Sequence, residues 1–429
     1  MKRMIALLLT CLLMVSVFSG CGASDQPGDS TTGETEAKTH SLRVGFGRAD
    51  ISPEVFVPLG GGSNNVSYSV EDPLYATCIA ITDEMDNTIL VYHLDLLFSY
   101  GDVVMQNRSI GKATGVDPRN IMFTSTHNHS GPDLSKSNDL SIQIYCETLP
   151  DKIVKAATDA MADRKPVTGM YITKTYPKNV NFLRHHILAD GSKTGWATPA
   201  VQSGVAHLFD ADNEMQLVKF VREGGKDILM MNWQAHPKAP KDTIRSDVDA
   251  IRRVIEPALD CKFIYFLGAA GNVNSGTYIK ADKEVPGYTD DYIERGKILA
   301  QYAIDAVPTF QEVKVGEVKL NNGKYTGKVK NGTGDLIVPI YAFSFGDVAF
   351  MTAPYEMFTE NGKKVKEDSP YVMTFVASCS NGSMGYIPSA YCYEYDCYEV
   401  SSTSFAKGSA EGLVDAHVAL LKQLYETNS

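Results

Sequence analysis

Strand-like runs of β-branched and aliphatic residues alternate with amphipathic helical segments along this chain, and that alternation limits its fold more than any other feature. Thr88–Leu97 has the composition of a buried strand, whereas Tyr292–Val307 has apolar residues at helical spacing and ends before Pro308. Strands interleaved with helices predict an α/β architecture, with mixed β-sheets flanked by helices. Because neither a long linker nor a repeat of fixed period divides residues 41–429, we expect them to form one domain.

Other segments of the sequence predict further strands, helices and hairpins. Gly224 and Gly225 occupy the turn of a predicted hairpin, and the polar segment Asn321–Gly334 predicts a surface hairpin or insertion. The further predicted strands are Ile79–Ile81, Asn120–Ser125, Met215–Val221, Asp227–Trp233, Phe263–Leu267, Leu336–Phe345, Val348–Thr352 and Met373–Ala377. The further predicted helices are Asp151–Arg164, Ile251–Leu259 and Gly412–Tyr425.

The first forty residues have the pattern of an export signal followed by a tether. Two basic residues precede the apolar run Ile5–Val17, which is too short to span a bilayer stably. Phe18–Cys21 resembles a bacterial lipobox, so residues 1–20 are the predicted signal peptide and Cys21 the predicted lipidated residue; simple secretion with cleavage nearby is the alternative. Residues 21–40 are polar and cannot form a core, which predicts a flexible tether. We therefore expect an exported protein, anchored by lipid to the outer face of a bacterial cell membrane.

The overall charge argues against one class of partner. The formal net charge is −11, and no basic tract or nucleic-acid motif offsets it. Because an acidic body repels phosphate backbones, we expect no nucleic-acid partner.

Eight cysteines are present, and Cys11 and Cys21 lie in the leader and at its end. The other six contain no Cys-x-x-Cys pair, so we do not expect a structural cysteine–zinc site. Cys392 and Cys397 are the closest pair. Disulfides are permitted outside the membrane, but buried free thiols explain the sequence equally well.

His127 and His129 lie two residues apart, directly after an apolar strand. In an extended segment such residues point to the same side, and Ser130–Pro132 then forces a turn. Active sites of α/β proteins gather at strand ends, and zinc favours imidazole ligands. The pair therefore indicates part of a metal site, although two ordinary histidines remain the alternative.

Three more polar residues follow apolar strands. His236 comes after Met230–Trp233 and precedes a proline; alone it suits a turn histidine. Glu356 is predicted to open a helix, where a carboxylate also complements the helix dipole. Tyr386 follows another strand and suits an ordinary half-buried tyrosine. Two strands that both end in histidine-containing turns raise the prospect that these turns converge.

Several segments, taken in order, resemble the catalytic domain of the neutral (non-lysosomal) ceramidase family. The most specific is Thr126–Pro132, which matches the family's Thr-His-x-His-Ser-Gly-Pro sequence. The other similar segments are Val44–Pro53, Asp72–Ala76, Leu94–Leu97, Asn232–Pro237, Gly268–Asn274, Pro354–Thr359, Asn381–Tyr386 and Tyr398–Glu399. Together they extend over most of the chain that follows the predicted tether.

The resemblance implies one zinc ion per chain. Its implied ligands are His127, His236, Glu356 and Tyr386. Zinc lowers the pKa of a bound water to about 7 and polarises an acyl oxygen. The implied activity is therefore ceramidase-like hydrolysis of an amide bond in an N-acyl lipid or another acylated amide.

The resemblance also implies roles for two residues that are not ligands. His129 would assist acid–base steps. Arg184 would lie near the site as a second catalytic residue and steady the developing oxyanion or a substrate oxygen, although a surface position is commoner for an arginine. Tyr355 stands where the family has glycine, which would narrow the pocket. We expect no C-terminal β-sandwich domain within residues 41–429. The alternative function is a lipid-anchored solute- or lipid-binding protein without catalysis.

Overall fold

A computed structural model describes residues 41–61, 64–100, 106–195, 206–280 and 283–427. The predicted signal peptide, the tether and Cys21 lie outside these residues. From residue 40 onward the chain forms one compact unit. Among the described residues, no helix combines the length and the apolar composition that crossing a membrane requires.

Twenty strands are present in the described residues. They are β1 (Leu42–Asp50), β2 (Tyr75–Asp83), β3 (Thr88–Leu94), β4 (Ile121–Ser125), β5 (Lys165–Thr175), β6 (Phe182–Leu183), β7 (His186–Ile187), β8 (Lys193–Thr194), β9 (Ala206–His207), β10 (Met215–Arg222), β11 (Ile228–Trp233), β12 (Lys262–Leu267), β13 (Val273–Asn274), β14 (Ile279–Lys280), β15 (Lys283–Glu284), β16 (Gln311–Val313), β17 (Val318–Lys328), β18 (Asp335–Phe345), β19 (Val348–Thr352) and β20 (Met373–Ala377).

Seven α-helices lie between or after these strands in the described residues. They are α1 (Asn107–Thr114), α2 (Leu140–Ala162), α3 (Asp247–Leu259), α4 (Tyr292–Asp305), α5 (Thr359–Asp368), α6 (Tyr398–Ser402) and α7 (Ser409–Glu426). Short 3-10 turns occupy Pro118–Asn120, Val307–Thr309 and Ala390–Glu394.

Nine strands form the larger sheet, in the order β12-β11-β10-β5-β1-β2-β3-β4, with β16 also pairing with β5. The end pairs β3/β4 and β11/β12 are parallel, and the pairs between them are antiparallel. A second sheet has the order β17-β18-β19-β20, and its β19/β20 pair is parallel. The predicted α/β architecture with mixed sheets is confirmed.

The two sheets pack face to face through a shared apolar core. Phe350 of the smaller sheet lies at its centre, with its ring 5.1 Å from that of Phe266 and 4.6 Å from that of Phe343. On the outside, α2 covers β1–β3, α3 and α4 cover β10–β12, and α5 and α7 cover the smaller sheet. Strands β3, β11 and β19, which are buried along their whole length between these layers, therefore have nearly continuous apolar sequences.

Most predicted elements are found with shifted ends. The strand predicted over Thr88–Leu97 ends at Leu94, because Asp95 turns the chain and its N–H bonds the Tyr75 carbonyl at 3.0 Å. The helix predicted from Asp151 begins at Leu140 and continues through Pro150. The polar segment Asn321–Gly334 contributes to the hairpin of β17 and β18, as predicted.

Candidate metal centre

Four polar side chains predicted as ligands follow four different strands, and those strands end at one side of the molecule. His127 follows β4, His236 follows β11, Glu356 follows β19 and Tyr386 follows β20. The two sheets are joined at this side, because Asn381 donates its N–H to the Phe123 carbonyl at 2.8 Å. The carboxyl ends of parallel strand pairs thus form the floor of the candidate site, as in other α/β proteins.

The donor atoms of these side chains converge on the carboxylate of Glu356. Its Oε2 lies 3.2 Å from Nε2 of His127 and 3.1 Å from Nε2 of His236. The hydroxyl of Tyr386 lies 3.5 Å from the same nitrogen of His236. All four side chains are buried. The structure therefore brings together all four residues that the resemblance implies as ligands.

Both histidine rings are oriented so that Nε2 faces the carboxylate of Glu356. Nδ1 of His127 lies 3.1 Å from the Leu97 carbonyl, and Nδ1 of His236 lies 2.7 Å from the Ala270 carbonyl. A carbonyl can only accept, so each Nδ1 carries a proton, and in the neutral ring the lone pair is on Nε2. This is the tautomer that binds metals through Nε2, with the second nitrogen held by a backbone group.

The backbone at His127 is unusual. Its φ of 61° lies in the left-handed region, so the segment is not the extended one assumed from the His-x-His spacing. The rings of His127 and His129 nevertheless lie 4.6 Å apart and nearly perpendicular. Both imidazoles therefore lie together as expected, but a tight turn at His127 brings them together, and strand alternation does not.

Glu356 does not open a helix, contrary to the prediction. It forms an isolated parallel bridge with Tyr386, and its N–H donates to the Gly385 carbonyl at 2.9 Å. Helix α5 begins three residues later at Thr359, whose N–H is bonded by the Asn272 side chain at 2.8 Å. Glu356 is therefore positioned by strand-like pairing to the segment that carries Tyr386.

The electrostatic environment suits a cation. Burial alone would raise the pKa of Glu356, but the neighbouring His127 and His236 outweigh it and hold that pKa well below its usual value. Burial and the Glu356 charge raise the pKa of Tyr386 well above its usual value. Burial and nearby Arg184 lower the pKa of His236. The cluster thus combines a charged carboxylate with a neutral imidazole.

His129 lies beside the four donors and is half-buried. Its ring is 5.8 Å from that of His236, and neither ring nitrogen has a hydrogen-bond partner within the part of the chain that the structure describes. Gly61, at φ 69°, packs directly against this ring, and a Cβ there would lie 1.7 Å from Nδ1. Any side chain at position 61 would displace the ring of His129, so this position requires glycine.

Arg184 is buried beside the donors rather than on the surface. Its Nε lies 2.8 Å from Oε1 of Glu399, and its guanidinium lies 5.5 Å from the ring centre of Tyr386. Sequence reasoning gave Glu399 no role, although Tyr398–Glu399 carried part of the resemblance. Phe98, whose ring lies 4.9 Å from His127, was also missed because it follows an ordinary apolar strand.

Tyr355 does not narrow the site. Its buried ring points away into the core under α7, where its hydroxyl lies 3.1 Å from Nε2 of His417. The replacement of glycine at this position therefore adds packing behind Glu356.

The donor set fits zinc on its chemistry. Two imidazole nitrogens, a carboxylate and a phenol oxygen are all accepted zinc ligands, and Nε2 of His127 and Oε2 of Glu356 are buried without a well-aligned hydrogen bond among the described residues. A ring nitrogen of His129 is also close enough to the other two imidazoles to belong to a three-histidine set. The arrangement can hold one cation, with one further group beside it.

Fold and site together define a mixed-sheet α/β protein with a buried metal-type donor cluster at the ends of its strands. Two solved structures share this fold. A ceramidase complexed with C2 matches at a TM-score of 0.74 over 90% of this chain and 76% of its own, with 16% sequence identity. Neutral ceramidase from Pseudomonas aeruginosa matches at 0.74 over 90% of this chain and 75% of its own, with 17% identity.

The resemblance to the neutral ceramidase family is thus confirmed at the level of the fold. No family model and no curated protein matches the sequence.

Proposed function

We propose that this chain is a zinc-dependent hydrolase that cleaves the amide bond of N-acyl substrates, as a ceramidase does. The observation that supports this most is the convergence of His127 Nε2 and His236 Nε2 on one oxygen of Glu356, within 3.2 Å and 3.1 Å. Two imidazole nitrogens and a carboxylate oxygen that meet in one buried cluster form a donor set that a zinc ion binds. The fold shared with ceramidases supports the choice of reaction.

In this proposal His127, His236, Glu356 and Tyr386 hold the zinc. Bound zinc supplies a Lewis acid for the acyl oxygen and an acidified water. Hydrolysis would add one water molecule across the amide, break the C–N bond and release a carboxylic acid and an amine. His129, whose ring nitrogens have no hydrogen-bond partner among the described residues, carries the proton that the departing amine requires. Arg184 packs over Tyr386 and fixes its ring.

The substrate class is an N-acyl lipid or another acylated amide. Anchoring through Cys21, as the lipobox-like segment predicts, would hold the enzyme next to lipid substrates at the outer face of a bacterial cell membrane. Replacement of Cys21 by Ser in cells fed a labelled fatty acid tests this part separately. We expect label on the wild-type chain and none on the variant.

The function is tested with a panel of N-acyl amides, including ceramides, given to the purified full chain and to His127→Ala. We expect the wild type to contain zinc and to release fatty acid from at least one substrate. We expect His127→Ala to lose the zinc of this site and the activity. His207→Gln, in β9 and outside the donor group, is the matched histidine control and should keep both. Hydrolysis by a His127→Ala protein that has lost the zinc of this site would contradict the mechanism, and a metal-free, inactive wild type would contradict the function.

A further inference from the structure

A second group of metal-type donors lies outside the site described above. His185, Cys392 and Cys397 are buried together, and their ligand atoms all lie within 4.8 Å of one another. Sγ of Cys392 is 3.7 Å from Nδ1 of His185, and Sγ of Cys397 is 4.0 Å from Nε2. Glu399 completes the group, with Oε2 at 2.9 Å from the Cys397 sulfur and 3.3 Å from Nε2 of His185.

We propose that His185, Cys392, Cys397 and Glu399 form a second, structural zinc site. The donor chemistry is that of protein zinc sites, which combine thiolates with imidazole and sometimes carboxylate. Around a tetrahedral zinc with ordinary bond lengths, sulfur and nitrogen ligands lie about 3.6 Å apart, and nitrogen and oxygen ligands about 3.3 Å apart. The separations of His185 Nε2 from the Cys397 sulfur, 4.0 Å, and from Oε2 of Glu399, 3.3 Å, are close to these values. The Cys392 sulfur lies on the other side of the ring, 3.7 Å from Nδ1, within the 4.8 Å that contains all three ligand atoms of the group.

Local structure holds this group in place. Cys392 lies in the 3-10 turn Ala390–Glu394, and Cys397 caps α6, so the two thiols come from neighbouring turns. The Tyr395 hydroxyl lies 2.9 Å from Nδ1 of His185, which fixes the ring and leaves Nε2 facing Cys397 and Glu399. Gly195 closes another side, because a Cβ there would lie 2.9 Å from the Cys397 sulfur.

The sequence did not predict this site, because the spacing of Cys392 and Cys397 is wider than in a Cys-x-x-Cys pair. Neither thiol forms a disulfide in the structure, and neither do the other described cysteines. A disulfide between the two would use neither the imidazole nor the carboxylate that lie against them. The zinc site uses all four groups.

The second site is connected to the candidate metal centre. Glu399 directs Oε2 to the thiol group and Oε1 to Nε of Arg184, which packs over Tyr386. A zinc ion at His185 would therefore fix the segment that carries Cys392–Glu399, and through Glu399 it would position Arg184. This site does not depend on the proposed hydrolase activity.

The test is the zinc content of the full chain, purified without chelators and measured by elemental mass spectrometry. We expect two zinc ions per wild-type chain, one in the double variant Cys392→Ser/Cys397→Ser, and one in His127→Ala. Cys261→Ser, which changes another buried thiol, is the control and should keep two. Wild-type protein with one zinc that the double cysteine variant retains would overturn the proposal, whatever the activity.

A second measurement covers the case in which the cysteine variant does not fold. Co²⁺-substituted wild type and His127→Ala should both show thiolate-to-cobalt charge-transfer absorption, because the thiols remain in both. Peptide mapping under non-reducing conditions should find Cys392 and Cys397 unlinked. Absence of the charge-transfer band, or a disulfide between the two residues in the native protein, would overturn the site.

Discussion

At the scale of single residues, His127 combines a left-handed backbone with a buried ring. Such a conformation costs about 1–3 kcal/mol in a residue other than glycine and persists only where its surroundings fix it. The flanking amides of Thr126 and Asn128 donate to the carbonyls of Leu94 and Leu96, at 3.0 Å and 3.2 Å. The strained backbone is therefore at the residue whose imidazole faces Glu356, within the candidate metal centre.

His129→Gln separates a proton-transfer role from a ligand role. We expect the variant to keep its zinc, because the four proposed ligands are untouched, and to lose about 10²–10⁴-fold in kcat because the proton carrier is missing. The measurements are zinc content and steady-state kinetics on the preferred N-acyl substrate.

His207→Gln is the matched control for this substitution and should retain wild-type kinetics. If His129→Gln lost the zinc of this centre, His129 would instead be a ligand in the three-histidine set, and the role of Tyr386 would need revision.

The sequence alone indicated a candidate ligand where the local pattern around the residue is unusual. His127 and His236 could be singled out because an apolar strand runs directly into each. Glu356 and Tyr386 were found only through family resemblance, because their local patterns suit a helix start and a core tyrosine. The burial of Arg184 was not predictable, since its partner Glu399 is distant in the chain and the pair exists only after folding.

At the scale of elements, most strands with a uniform apolar composition were predicted, whereas β1 and β5, which contain glycine, were missed. β1 contains Gly45 and Gly47, where a Cβ would lie 2.0 Å from carbonyl oxygens of α2. These glycines weaken the strand pattern because they serve the close approach of the helix. β5 has Pro166 as its second residue and contains Gly169, near which its register to β10 shifts. In both cases tertiary packing outweighs intrinsic strand preference.

Helix α3 offers a test of an element boundary. The prediction began it at Ile251, whereas it begins at Asp247, because the buried Ser246 side chain accepts the N–H of Asp249 at 3.0 Å. We expect Ser246→Ala to lower the free energy of unfolding by about 1–2 kcal/mol, since it removes the N-cap of a helix that covers β10–β12. Chemical denaturation gives this value.

The exposed Ser137→Ala is the control for this loss of a hydroxyl and should change stability by less than about 0.5 kcal/mol. An unchanged unfolding midpoint for Ser246→Ala would mean that the cap contributes nothing to the helix.

At the scale of the whole molecule, stability should depend on pH through His417. This residue lies on α7, fully buried beneath the smaller sheet, and burial lowers its pKa to about 3. The unfolded chain takes up a proton near pH 6.5, whereas the folded protein does not until far lower pH. Between these values the unfolded state binds more protons, so acid shifts the equilibrium towards unfolding by up to about 1.4 kcal/mol per pH unit.

We expect His417→Gln to remove this contribution, because an amide can still bond the Tyr355 hydroxyl but does not titrate. Denaturation at pH 6, 5 and 4 should show a shallower fall in unfolding free energy for the variant than for the wild type. Equal slopes for the two proteins would show that His417 is not the group responsible.

The joining of the two sheets at the candidate metal centre has a consequence for how the protein is made. His127 and His236 come from one sheet and leave the ribosome first, whereas Glu356 and Tyr386 come from the other and are synthesised last. A growing or partly translocated chain that still lacks β19 and β20 therefore offers at most half of the donors, too few to retain zinc against competing chelators in the cell. Metal loading in the proposed enzyme is a final maturation step, completed only once both sheets have docked.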